Sequence, residues 1–151
     1  MFPEIFLPFD GALDRTNLAA GIIFVAPDGD ILLIKRSDKE KNYAGHWSLP
    51  GGGVEDGETP WDGAMREASE ELGGPGDDAL FGAAFTGKKA RLIDKVTTPT
   101  GITFHTFAVR AEEKFAPQLN DEHTEHAWVG ADALPSPMHP AVEATLRKFV
   151  R

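Results

Sequence analysis

Cysteine is absent from this chain, which excludes disulfides, thiol catalysis and thiolate metal sites. Positive charge is the next shortage: 15 lysines and arginines stand against 24 aspartates and glutamates, a net charge of −9. Such a surface disfavours nucleic-acid polymers and anionic membranes, while a small phosphorylated ligand stays compatible if a bound cation supplies the missing charge. Long apolar runs are missing too. The best, Leu18 to Ala26, holds nine residues, under half of the roughly 20 that a bilayer span requires. The opening MFPEIFLPF is apolar but contains Glu4 and two prolines, and lacks the basic start and small-residue cleavage site of a signal peptide. The expectation is a cytoplasmic protein. Its 151 residues form a single domain, 1–151, within the roughly 100–200 residues usual for one unit. The apolar opening can cover a partner subunit or extend a sheet edge, so a homodimer is among the expectations.

What is present reads as strands followed by a helix and more strands. Residues 19–26 form an apolar run fit for a buried strand; Pro27-Asp28-Gly29-Asp30 is a turn, and Ile31 to Arg36 is the return strand of that hairpin. Ser37 to Gly45 is a polar loop, and Trp47-Ser48-Leu49 a short strand running into Pro50 and a turn of three glycines. A helix then starts at Pro60, with Thr59 as cap and Asp62 completing a Thr-x-x-Asp capping box. Trp61, Ala64, Met65, Ala68 and Leu72 make its apolar stripe, and Gly73-Gly74-Pro75 stops it. Further strands are expected over 80–86, 91–97 and 102–109, the last two joined as a hairpin through Thr98-Pro99-Thr100-Gly101. Residues 126–129 suit a short final strand and 141–149 a closing amphipathic helix. The pattern is α+β, a mixed sheet with helices packed on it.

The chemistry concentrates on helix 60–72. Glu67, Glu70 and Glu71 are spaced i, i+3, i+4 and share one face, where like charges repel unless a cation sits among them. Carboxylates of this kind hold Mg2+ or Mn2+ with waters left in place. Arg66 stands four residues before Glu70 and can fix a carboxylate by bidentate hydrogen bonds. The preceding glycines let backbone approach a metal where a side chain would obstruct. Such a centre suits hydrolysis of a phosphoanhydride, which needs cations on the phosphate oxygens and a base for water.

Gly52, five residues, Glu58, seven residues, then Arg66-Glu67-Ala68-Ser69-Glu70-Glu71-Leu72-Gly73 resembles the signature box of the Nudix (MutT-like) hydrolases, and Gly45 to Gly51 resembles the strand leading into it. One position departs: Gly74 stands where the box ends in an aliphatic residue, a position without a ligand role. The resemblance implies a Nudix fold, a mixed sheet sandwiched between helices with the box as a loop–helix–loop. It implies Mg2+- or Mn2+-dependent hydrolysis of a nucleoside diphosphate derivative, either a modified nucleoside triphosphate or a nucleotide sugar, by water attack on phosphorus. Carried over, Glu70 and Glu71 are metal ligands, the Gly51 carbonyl a further one, and Glu67 a ligand or the base. Arg66 orients a glutamate, and Glu58 supports from outside. Relatives draw another acid or base from a later loop. Here Glu122, six residues before Trp128, is the candidate ligand and His123 the candidate general base.

Plainer readings compete. Without its upstream glycines, Arg66 to Leu72 is an ordinary solvated helix. Glu58 favours a helix dipole without catalysis, and Glu122-His123 can be a solvated loop. His46, His105, His126 and His139 read as structural or exposed, and Trp47 and Trp61 as core. Asp28-Gly29-Asp30 is too short for a calcium loop. Arg36 and Lys35 end a strand near the expected cleft, where Arg36 can meet substrate phosphate or simply be solvated. Lys88, Lys89 and Arg91 form a small basic cluster. A Nudix-fold domain that binds or senses nucleotide without cleaving it is the alternative function, and the retained cluster of mutually repelling acids argues against it.

Overall fold

Aliphatic and β-branched residues dominate β1 (Leu18–Val25) and β2 (Ile31–Arg36), and strand alternation sends them to two opposite cores. Ala20, Ile22, Phe24, Leu32 and Ile34 face one side. Ile23, Ile31 and Leu33 face the other. Burial on both faces is why these strands read as unbroken apolar runs. The turn between them closes through Ala26 N–H to the Asp30 carbonyl and Gly29 N–H to the Ala26 carbonyl, both 2.8 Å. Gly29 there has φ +93°, a conformation open to glycine.

The computed structural model describes residues 17–73 and 90–149. After β2 come β3 (Trp47–Ser48) and β4 (Gly51–Gly53). Beyond the helix are β5 (Arg91–Thr97), β6 (Thr103–Arg110) and β7 (His123–Val129). The sheet runs β3-β2-β1-β6-β5, with β4 also on β1 and β7 on β2. β1 and β6 pair in parallel from Leu18↔Thr103 to Val25↔Arg110, and the other pairings are antiparallel. Helix α1 (Pro60–Ala68) covers one face, with Ala64, Ala68 and the following Leu72 in its core. Helix α2 (Pro140–Phe149) covers the other through Val142 and Leu146, against Trp47 and Leu49. A mixed sheet between helices is therefore the observed fold, and no described helix is long and apolar enough to cross a membrane.

Three local expectations are corrected. Gly51–Gly53 is a strand rather than a turn, paired Ala19↔Gly53, Ala20↔Gly52 and Gly21↔Gly51. Its glycines serve close approach: a Cβ on Gly51 would lie 2.6 Å from Gly21 Cα, and one on Gly52 would lie 2.6 Å from Glu67 Cγ. The helix expected over 60–72 is α-helical only to Ala68 and continues as a π-helical turn, Ser69–Gly73. The last strand starts at His123, not His126, because β2 supplies partners along its whole length. The expected strand over 80–86, the Gly74-Pro75 stop, Lys88, Lys89 and the MFPEIFLPF opening lie outside the described residues.

Candidate active site

The site is assembled around the start and end of α1. Thr59 caps the helix as expected: its hydroxyl accepts from Asp62 N–H at 3.1 Å and Asp62 accepts from Thr59 N–H at 3.3 Å. Pro60 opens the first turn. With the helix start fixed, Arg66 reaches back to the segment that precedes it. Its Nε and one terminal nitrogen donate to Glu58 at 2.8 and 3.1 Å, and the same nitrogen donates to the Gly53 carbonyl at 2.8 Å. The other terminal nitrogen donates to Glu67 at 2.9 Å and to Glu70 at 3.4 Å. Arg66 thus ties strand β4, the pre-helix loop and two of the three acids into one unit. The bidentate bond to Arg66 holds Glu58 below the usual carboxylate range.

The acids differ in environment. Glu70 is the exposed one, its side chain 55% accessible. Glu67 is tucked over Gly52, and burial lifts its carboxyl to about 7 even though Arg66 pulls the other way. Glu71 is 4% exposed and accepts the Gly51 N–H at 2.8 Å. Burial, with Glu67 nearby, raises its carboxyl well above the ordinary range. The π-helical turn contributes to this split, since it widens the helix where Glu70 and Glu71 sit and so departs from regular 3.6-residue spacing.

The loop before β7 joins them. Asn120 forms an Asx-type turn, its side-chain oxygen accepting from Glu122 N–H at 3.1 Å. Its amide nitrogen donates to Glu122 at 3.3 Å and to the Glu70 carbonyl at 3.4 Å. Ser37 N–H holds the Glu122 carbonyl at 2.8 Å. Glu71, Glu122 and His123 consequently offer ligand atoms that all lie within 4.8 Å of one another. Burial, then the charge of Glu40, raises the Glu122 carboxyl. His123 is buried at the first position of a strand rather than in a loop, and desolvation followed by Arg36 depresses its imidazole to about 4.

Arg36 is placed differently from the solvated or phosphate-binding strand end expected of it. It is 2% exposed, donates to the Asn42 carbonyl at 2.8 Å and pairs with Glu40 at 3.1 Å, so the interior rather than the cleft surface takes its guanidinium. Gly51 enters the geometry through its N–H on Glu71. Trp47 is core and Trp61 packs edge-on to Phe107 at 5.2 Å. His126 is exposed and His46 half-buried, while His105 and His139 are buried.

Two features have no counterpart in the sequence reading. Asn120 is one, although an asparagine two residues before a polar group is a recognisable turn signal. The other is a cleft between β4, β6 and α2, lined by Leu49, Gly52, Phe104, Thr106, Val142 and Thr145 among others. Its walls come from separated elements, so no contiguous motif announces it. Gly52 borders both this cleft and Glu67.

The family model described as the NUDIX domain matches residues 15–151. The chain therefore belongs to the Nudix family of hydrolases. It is 30% identical over 135 residues to the nucleoside triphosphatase NudI of Escherichia coli, covering 82% of this chain and 87% of that one. A MutT Nudix hydrolase structure from Burkholderia pseudomallei superposes with a TM-score of 0.64 at 30% identity, covering 86% of this chain and 95% of the other. The RenU Nudix hydrolase of M. smegmatis gives a TM-score of 0.63 at 28% identity, covering 87% and 81%. Enzymes of this family generally use divalent metals, and the acid-rich cluster at Glu71 and Glu122 is where this chain offers ligands.

Proposed function

We propose that this protein hydrolyses a phosphoanhydride bond of a nucleoside triphosphate or a related nucleoside diphosphate derivative, with Mg2+ or Mn2+ held by Glu70, Glu71, Glu122 and the Gly51 carbonyl. The observation that carries this reading is the gathering of buried, mutually repelling carboxylates, several lifted above their ordinary range. Such a set is compensated when a cation joins it. The donors are oxygen-rich, a set that both ions accept. When bound, the cation neutralises phosphate oxygens and polarises the phosphorus toward attack.

The chain's own residues supply the rest. Glu67 accepts the proton of the attacking water, a role open to it once the cation favours its ionised form. Water oxygen bonds to phosphorus, the bridging P–O bond breaks, and the leaving phosphate departs with the bond's electron pair. Arg66 fixes Glu67 through the 2.9 Å bond. The triphosphatase activity in the name of the E. coli relative supports triphosphates as the first substrates to test.

The test is a hydrolysis screen of nucleoside triphosphates, nucleotide sugars and dinucleoside polyphosphates with Mg2+ or Mn2+ in 18O-labelled water, read by 31P NMR. One labelled phosphate product is expected, and Glu71→Gln should lower kcat by about 100-fold or more. Turnover of none of these compounds, or wild-type turnover by Glu71→Gln, would overturn the reading.

A further inference from the structure

We propose that His123 ligates, through a ring nitrogen, the divalent cation held by Glu71 and Glu122, and that this nitrogen makes the position favour Mn2+ or Co2+ over Mg2+. The proposal rests on the hydrolase reading only for the cation's purpose; the geometry is independent of it. The ligand atoms of the three residues lie within 4.8 Å of one another, close enough for a single ion to touch all three. His123 is 6% exposed, and its Nδ1 is buried without a hydrogen-bond partner among the described residues. An unsatisfied buried nitrogen is costly unless something occupies it.

The strand is built to bring this side chain here. β7 pairs Lys35↔Glu125 and then Arg36↔His123, so Thr124 is an extra residue and the register shifts between Lys35 and Arg36. Unbulged pairing would set Thr124 opposite Arg36 and turn His123 to the other face of the sheet. The bulge instead puts His123 on the face of Ile34 and Leu32, the α1 side, where Glu71 lies. Asn120 adds the second constraint by tying the Glu122 loop to the helix that carries Glu71. An imidazole beside two carboxylates is a mixed donor set. Imidazole suits borderline transition ions, whereas Mg2+ prefers oxygen throughout.

Pulsed EPR of the intact protein loaded with Mn2+ tests this directly. A 14N modulation is expected, converting to the 15N pattern when the histidines are 15N-labelled and disappearing in His123→Gln, which replaces the nitrogen by an amide oxygen. Calorimetric titration with Co2+ and Mg2+ should show the Co2+ preference shrinking about ten-fold in His123→Gln. Bound Mn2+ without histidine nitrogen coupling in the wild-type protein overturns the proposal, whether or not the variant folds, and leaves the hydrolase reading standing. Coupling in a protein that hydrolyses none of the screened compounds leaves this site standing and overturns the hydrolase reading instead. No Mn2+ binding at all overturns the proposal, as does an unchanged Co2+ to Mg2+ preference in a folded His123→Gln.

Discussion

Arg66 shows what one side chain can do when its whole fork is used. It holds Glu58 at two points, the Gly53 carbonyl at a third and Glu67 at a fourth, with distances of 2.8, 3.1, 2.8 and 2.9 Å. Lysine would keep the charge and lose the fork, since an ammonium cannot span these partners in one plane. Arg66→Lys should therefore lower kcat by about 10- to 100-fold with the fold retained, as for residues that orient metal-site carboxylates. Steady-state kinetics alongside circular dichroism checks it, and wild-type kcat would remove Arg66 from its positioning role. Gly52 is the complementary case, where the absent side chain matters. A methyl group there collides with the Glu67 side chain, meeting its Cδ and lying 2.6 Å from its Cγ. Overpacking of this kind typically costs about 1–3 kcal/mol. Gly52→Ala should be destabilised by that amount in urea and should lose activity, because Glu67 must leave the position Arg66 holds.

At the scale of elements, α1 is where local rules and tertiary structure agree. Replacing Thr59 by alanine removes the acceptor for Asp62 N–H and breaks the reciprocal box. Loss of about 1 kcal/mol is expected, measured as a lower urea midpoint with an unchanged slope. An unaltered midpoint would mean the helix start is held by Arg66 and packing alone. The cap, the proline, the apolar stripe and the β1–β2 hairpin were all legible because each is encoded by neighbours in sequence. The same holds for the spacing of Glu67, Glu70 and Glu71. Strand β4 was not legible, since three glycines argue against a strand by propensity and only the partner edge of β1 imposes one. The π-helical turn after Ala68 and the bulge at Thr124 are likewise set by packing against other elements. Arg36 marks the limit of reading charge from composition. Its burial depends on Asn42 and Glu40 in a loop whose path the sequence does not specify.

At the scale of the whole molecule, the two helices protect opposite faces of the sheet, and the acid cluster is buried beneath the edge of one of them. Burial without a cation has a cost that pH reveals. Glu67 has a folded value of about 7 against an ordinary 4.5, and Glu71 is raised as well. In a chelated sample the unfolded chain has released these protons by about pH 6.5 while the folded chain still holds them, so the folded state binds more protons and loses stability as pH rises. His123 works in the opposite sense. Its folded value of about 4 lies below the ordinary 6.5, so its contribution is lost as pH falls through that interval. The carboxyl effect outweighs it above about pH 6.5, where the unfolded imidazole is at most half protonated, and stands alone above about pH 7.5, where His123 is neutral in both states. With EDTA present, Tm should decline between about pH 6.5 and 8, and saturating Mn2+ should remove or reverse that decline by favouring the deprotonated carboxylates. A chelated protein whose Tm is flat or rises across this window would show that the acids are compensated by the protein itself, with Arg36 and Arg66 as the compensating charges.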